Sequence, residues 1–145
     1  MIRKLLCARC GEDVSSPLQI GIIDTGIFRA WLEGSMLAID FLSAMNRIGR
    51  PQLSQLSAME LTCFARDQAE HANLLQFLTG CNVRPLNAKT VARATRILDR
   101  LAPPTGLTAS DLLIAATALI HKLPLYTIDP GRFSIVPGLN CIQPY

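Results

Sequence analysis

Histidine is scarce in this chain. Two occur in 145 residues, His71 and His121, in separate segments, and neither has a partner that would make an acid–base pair. Cysteine is present but unorganised: five residues, an odd number scattered along the chain, favour reduced thiols over a disulfide framework. Cys7-Ala-Arg-Cys10 is a C-x-x-C, yet Cys63, Cys81 and Cys141 stand singly, so the second ligand pair of a structural zinc site is lacking. Long apolar runs are also missing. The longest, Leu112 to Ile120, is too short to span a bilayer, and the apolar stretch within Met1 to Ala8 is too short for a signal peptide. A cytoplasmic protein is expected. Charge is sparse at 17% against 50% hydrophobic residues, which excludes a disordered chain. The formal net charge of +3 is too mild to indicate a nucleic-acid partner by itself.

What is there suits one domain with a substantial core. Residues 1–18 lack periodicity and are expected to form a loose extension or to reflect an overcalled translation start, with the domain spanning 19–145. Gln19 to Asp24 is a short apolar, β-branched run, expected as a buried parallel strand. A helix is predicted from Ile27, with Phe28 and Trp31 facing inward. Leu37, Phe41, Ala44 and Ile48 continue at helical spacing until Gly49 and Pro51. Gln52 to Leu56 reads as a second strand, Ser57 to Leu78 as a helix ended by Thr79-Gly80, and Val83 to Leu86 as a short strand. Asn87 caps a helix reaching about Leu101. Pro103-Pro-Thr-Gly106 is a break. Thr108 caps a helix apolar on nearly all faces. Leu123 to Asp129 is a strand, Pro130-Gly131 a turn, and Leu139 to Ile142 an edge strand. The alternation predicts a three-layer α/β/α sandwich with a mostly parallel central sheet.

Four of the 11 acids stand where an apolar segment ends or a helix begins: Asp24, Glu60, Asp111 and Asp129. Each has a local explanation. Ser57-x-x-Glu60 fits a capping box, and Thr108-x-x-Asp111 is a shorter version of it. Acids also suit helix N-termini, and aspartate is common after strands. The joint pattern says more. In a parallel sheet, ligands bind outside the carboxyl ends of the strands, and all four acids can reach that edge. Converging carboxylates repel and lose hydration, and such sites hold hard divalent cations through oxygen. Thr25 and Thr127 have hydroxyls placed to orient the neighbouring acids, Asp24 and Asp129.

The residues Ile22-Ile-Asp-Thr25, Leu56-Ser-Ala-Met-Glu-Leu61, Ser110-Asp-Leu-Leu-Ile-Ala-Ala-Thr-Ala118 and Pro124-Leu-Tyr-Thr-Ile-Asp129 with Phe133 give the chain a specific resemblance. It resembles PIN-domain proteins, and most closely the VapC-type toxin ribonucleases, from about Gln19 to the C-terminus. The resemblance implies a PIN-like sandwich in which Asp24, Glu60 and Asp111 are the principal acids for Mg²⁺ or Mn²⁺, completed by Asp129 and oriented by Thr25 and Thr127. It implies endonucleolytic hydrolysis of RNA with a metal-activated water, a homodimer, and an antitoxin partner seated in an apolar groove near Phe28, Trp31, Leu32, Met36 and Leu37. The chain departs from the family at two positions. Gly26 follows Asp-Thr where Asn or Ser is frequent, and Arg132 precedes Phe133 where an acid is frequent. Neither removes a principal acid, so activity is expected to survive.

RNA must also be held. Arg29 and Arg132, close to the acids, are the leading candidates for phosphate contacts. Lys89, Arg93, Arg96 and Arg100 form a stripe on one predicted helix, which is equally explained as a solvated face. A receiver-type phosphoacceptor domain would need a second acid beside Asp24 and a lysine after the last strand, whereas Lys122 precedes its strand. A non-catalytic RNA- or protein-binding PIN-fold module and a DNA nuclease remain as alternatives.

Overall fold

The computed structural model of the protein describes residues 17–145. Almost all of the expected extension, and the Cys7/Cys10 pair, lie outside the described residues. The elements run β1 (Ile22–Ile23), α1 (Thr25–Leu32), α2 (Met36–Ile48), β2 (Gln52–Ser54), α3 (Gln55–Cys63), α4 (Gln68–Thr79) and β3 (Asn82–Arg84). They continue with α5 (Ala88–Leu98), α6 (Ala109–His121), β4 (Leu125–Tyr126), α7 (Pro130–Phe133) and β5 (Cys141–Ile142). The five strands form one sheet in the order β3-β2-β1-β4-β5, and every pairing is parallel. This is the expected α/β/α sandwich.

Period-two alternation divides the core. Ile22 and Leu125, which are register partners, point to one face with Cys141. Ile23, Tyr126 and Ile142 point to the other. The first face packs against Ala94 and Ile97 of α5, the buried side of α6, and Phe133 with Val136. The second packs against Ile27 and Phe28 of α1, Phe41, Leu42 and Met45 of α2, and Leu61 of α3. Each fully buried Ile, Leu or Phe contributes about 1.5–3 kcal/mol of transfer free energy. α6 is apolar almost all round because it is buried almost all round.

Several boundaries differ from the sequence reading, each for a local reason. The first helical stretch is two helices, broken where Gly34 adopts φ +84°, a conformation that favours glycine. On α2 the sheet-facing stripe is Ala38, Phe41, Leu42 and Met45. Leu37 and Ile48, which share the expected helical spacing with Phe41, are exposed. Trp31 is half-buried, its ring 4.6 Å from that of Phe77. The predicted helix from Ser57 to Leu78 is likewise two. α3 starts earlier because Ser54 is its cap, accepting from the Ser57 backbone N–H at 2.9 Å. α4 has its own cap, Asp67, accepting from the Glu70 N–H at 2.8 Å. The Pro130-Gly131 turn is the start of the short helix α7, capped by Asp129.

Among the described residues Cys63, Cys81 and Cys141 are free thiols. Burial pushes Cys81 and Cys141 up to about 11, which leaves both unreactive near neutrality. The imidazole of His121, at the end of α6, is shifted downward by burial and by the Arg84 guanidinium.

Candidate active site

The strand order fixes where a ligand can sit. From β1 the chain winds outward through β2 to β3, then returns to the other side of β1 as β4 and moves on to β5. The reversal lies between β1 and β4, and the crevice outside the carboxyl ends of those strands is the expected binding position. Asp24 follows β1 directly, and Thr127 follows β4 directly. α6 leads into the amino end of β4, so its first turn, with Asp111, lies at the same edge. α3 leaves the carboxyl end of β2. Its side chains lean towards their own N-terminus, which carries Glu60 back towards the edge.

The hydroxyls are crossed relative to the sequence reading. Thr127 Oγ1 donates to Asp24 Oδ2 at 2.9 Å rather than to Asp129, whose backbone N–H instead donates to Thr127 Oγ1 at 3.2 Å. Thr25 Oγ1 donates to Glu60 Oε2 at 2.7 Å, so it orients Glu60 and not its neighbour Asp24. The Ser57/Glu60 capping box does not form, since Ser54 holds that cap. Glu60 therefore lies beyond the first turn of α3, free of cap duty and half-buried. The box at Thr108 does form. The Thr108 N–H donates to Asp111 Oδ2 at 2.8 Å, and the Asp111 N–H donates to Thr108 Oγ1 at 3.2 Å.

The structure brings Asp24 and Asp111 together and ties Asp129 to Asp111 through Arg132, while the side-chain partner of Glu60 is Thr25 and not another acid. Asp24 and Asp111 are 3% and 5% exposed, and Asp111 is close enough to act on the Asp24 titration. Burial, the largest cause, raises the Asp24 carboxyl above its usual range. The Thr127 hydrogen bond and the Arg132 charge oppose that, and Asp111 adds to it. Arg132 Nη2 pairs with Asp111 Oδ1 at 3.2 Å, and its Nε lies 4.0 Å from Asp129 Oδ2. Asp129 is at the rim, its side chain 61% exposed. It also caps α7, accepting from the Arg132 N–H at 3.3 Å. Among the described residues no three acid, histidine or cysteine side chains are drawn together as a formed metal cluster. The donor set nevertheless fits a hard divalent ion in kind: all its groups are carboxylates, and Asp24 is buried with its charge only partly compensated.

The basic candidates divide. Arg132 is within the acid group. The Arg29 guanidinium lies 5.1 Å over the Phe64 ring, beside a surface depression of about 250 Å³ that Arg66 and Glu70 also line. Lys89 and Arg96 are exposed on α5, Arg93 is half-buried, and Arg100 lies just past the helix end. The ion pair between Arg132 and Asp111 was not foreseen. Its signal was the basic residue standing where the resemblance leads one to expect an acid.

One prediction tests the crossed hydroxyls. Thr25→Val keeps the shape but removes the side-chain donor on Glu60. If Glu60 serves the acid site, activity should fall by about 10- to 100-fold, as loss of an outer hydrogen-bonding partner does, with the fold retained by circular dichroism. Unchanged activity would remove Glu60 from the chemistry.

A parallel α/β sandwich with buried carboxylates at its switch point defines a class of acidic-site α/β domains. The PIN domain profile matches residues 21–139, and the chain belongs to the PIN-domain family. No curated protein matches it. Solved structures share its fold. A chain of a toxin–antitoxin complex from Klebsiella pneumoniae superposes with TM-score 0.72 at 23% identity, covering 86% of this chain and 98% of that one. A chain of VapBC2 from Rickettsia felis, bound to a DNA fragment from its promoter, gives 0.70 at 21%, covering 86% and 98%. A chain of DNA-bound VapBC from Salmonella typhimurium gives 0.71 at 18%, covering 88% and 100%.

Proposed function

We propose that the protein is a Mg²⁺- or Mn²⁺-dependent endoribonuclease acting in the cytoplasm as the toxin of a toxin–antitoxin pair. The observation that carries this reading is the buried Asp24 beside Asp111 at the β1/β4 switch point. Two carboxylates placed together in a low-dielectric setting are costly unless a cation accompanies them. Asp24, Asp111 and Glu60 would hold the ion, with Asp129 at the rim. When bound, the ion supplies Lewis acidity to the phosphodiester and acidifies the attacking water.

The chain's own groups do the positioning. Thr127 fixes Asp24 Oδ2. The Thr108 N–H fixes Asp111 Oδ2, and Arg132 pairs with Asp111 Oδ1. Thr25 turns Glu60 towards the edge. Arg29 and the α5 residues Arg93 and Arg96 would attract the RNA backbone.

The shared fold of chains from toxin–antitoxin complexes supports the partner reading, as does an apolar cleft of about 330 Å³ bordered by Trp31, Ile39, Leu42 and Phe77. Met36 and Leu37, exposed at the start of α2, suit a homodimer or the antitoxin.

The deciding experiment incubates purified protein with end-labelled single-stranded RNA and, separately, DNA. Cleavage of RNA in Mg²⁺ or Mn²⁺, with loss of activity in EDTA and recovery on re-addition of the ion, is the expected result. Undiminished cleavage in EDTA would overturn the metal reading. Cleavage of DNA alone would replace the ribonuclease assignment with a DNA nuclease, and the absence of both would favour a binding module.

A further inference from the structure

Arg132 occupies an unusual position for a surface cation. Its guanidinium is the one cation that ion-pairs with the edge acids among the described residues. The contact to Asp111 Oδ1, at 3.2 Å, reaches a side chain only 7% exposed, while the Arg132 side chain is itself 38% exposed. The guanidinium carbon lies 5.4 Å over the ring of Phe133, and that ring is fully buried. Stacking on a fixed ring holds the stem of the side chain. The second carboxylate within reach, Asp129, is on the solvent side, 4.0 Å from Nε. One guanidinium therefore has an inner seat on α6 and an outer seat at the cap of its own short helix.

We propose that Arg132 is a built-in counterion of the acid site. In the ion-free protein it sits against Asp111 and offsets the repulsion between Asp111 and Asp24. A divalent ion has to compete with the guanidinium for Oδ1 of Asp111, and Asp129 is placed to receive the displaced side chain. The other oxygen, Oδ2, already accepts from the Thr108 N–H, which leaves it less capacity for an ion. Ion binding is thus a competition between two cations, and Arg132 sets how much Mg²⁺ or Mn²⁺ the site requires. The inference rests on the metal-dependent reading above, and its test does not need activity.

The experiment titrates wild type, Arg132→Gln and Arg132→Lys with Mn²⁺ by isothermal titration calorimetry, alongside thermal melts of each. Removing a unit charge at contact distance should tighten Mn²⁺ binding by about tenfold or more in Arg132→Gln. Arg132→Lys, a point charge without the planar fork, should fall between Gln and wild type. Without ion, Arg132→Gln should melt below wild type. At saturating Mn²⁺ the difference should close, because the ion has taken over the counterion's work. Equal or weaker Mn²⁺ binding in Arg132→Gln would overturn the counterion role while leaving the metal reading intact. Failure of all three proteins to bind Mn²⁺ at millimolar concentration would overturn both.

Discussion

Asp24→Asn should abolish cleavage and make the protein more stable. The two effects share a cause. Asp24 is 3% exposed, and its carboxyl is raised above the ordinary value of 3.8, chiefly by burial. An acid whose pKa is higher folded than unfolded binds more protons in the folded state between those two values. Stability therefore falls as pH rises from about 3.8 through the folded value, and the loss persists above it. Asparagine removes this penalty. Its amide oxygen can keep the Thr127 hydrogen bond, now 2.9 Å long, and its NH₂ suits the neighbouring Asp111 carboxylate. The expected result at neutral pH and without divalent ion is a melting temperature higher by roughly 2–4 °C, what about 1 kcal/mol gives in a domain of this size. The advantage over wild type should shrink as pH falls towards 4 and vanish below it. Activity should drop by more than about 100-fold, beyond the cost of losing an outer partner. Mn²⁺ should raise the melting temperature of wild type and not that of the variant. A variant less stable than wild type at pH 7, or one with wild-type turnover, would show that Asp24 is a structural residue.

The positions of Asp24 and Asp111 are legible because each sits at a boundary that hydrophobic pattern alone defines, whereas Glu60 lies inside α3. Asp24 ends an apolar strand, and Asp111 opens an apolar helix. What could not be read is which hydroxyl meets which carboxylate. Thr25 adjoins Asp24 in sequence but faces Glu60, 35 positions away. Thr127 reaches Asp24 across 103 positions, because β1 and β4 are sheet neighbours. Strand order is a tertiary outcome that no local pattern encodes. The misplaced start of α3 has a different origin. Ser54 and Ser57 both carry capping chemistry, and they bond to each other at 2.9 Å. The preference for Glu60 at the third position of a box chose the wrong serine. The break before α4 was readable, since Asp67-Gln-Ala-Glu70 has the capping spacing and Arg66 reinforces it by pairing with Glu70 at 3.0 Å. A single helix from Ser57 to Leu78 would pass over that cap.

Two glycines near the site should respond in opposite ways to an added side chain. At Gly21 a Cβ would meet the Pro124 carbonyl oxygen and the Tyr126 ring, each at 2.8 Å, and the Pro124 ring at 2.9 Å. That carbonyl accepts from the Ile22 N–H at 2.8 Å, so it cannot retreat without loosening the β1–β4 ladder. The Tyr126 ring is also pinned, with its hydroxyl donating to the Gln19 carbonyl at 2.9 Å. Gly21→Ala should therefore destabilise by about 1–3 kcal/mol, the usual cost of overpacking, and lower the melting temperature by roughly 3–10 °C. The ladder it strains is the one that sets Asp24 beside Thr127. A displacement of about 1 Å there costs on the order of 100-fold in rate, so cleavage by the remaining folded protein should fall steeply. At Gly26 the surroundings are open by comparison. A Cβ would lie 3.6 Å from both Asp24 Oδ2 and Ile128 Cγ1, ordinary contact distances, in the first turn of α1 where a helical residue is welcome. Gly26→Ser should fold at least as well as wild type, with a gain of up to about 0.5–1 kcal/mol from restricting the unfolded chain. Its hydroxyl would stand near Asp24 as a further donor, and cleavage should be retained. Thermal melts and RNA cleavage on the two variants, measured side by side, check both outcomes. Equal tolerance at the two positions would mean that the approach of β1 to β4 is looser than the contacts at Gly21 require.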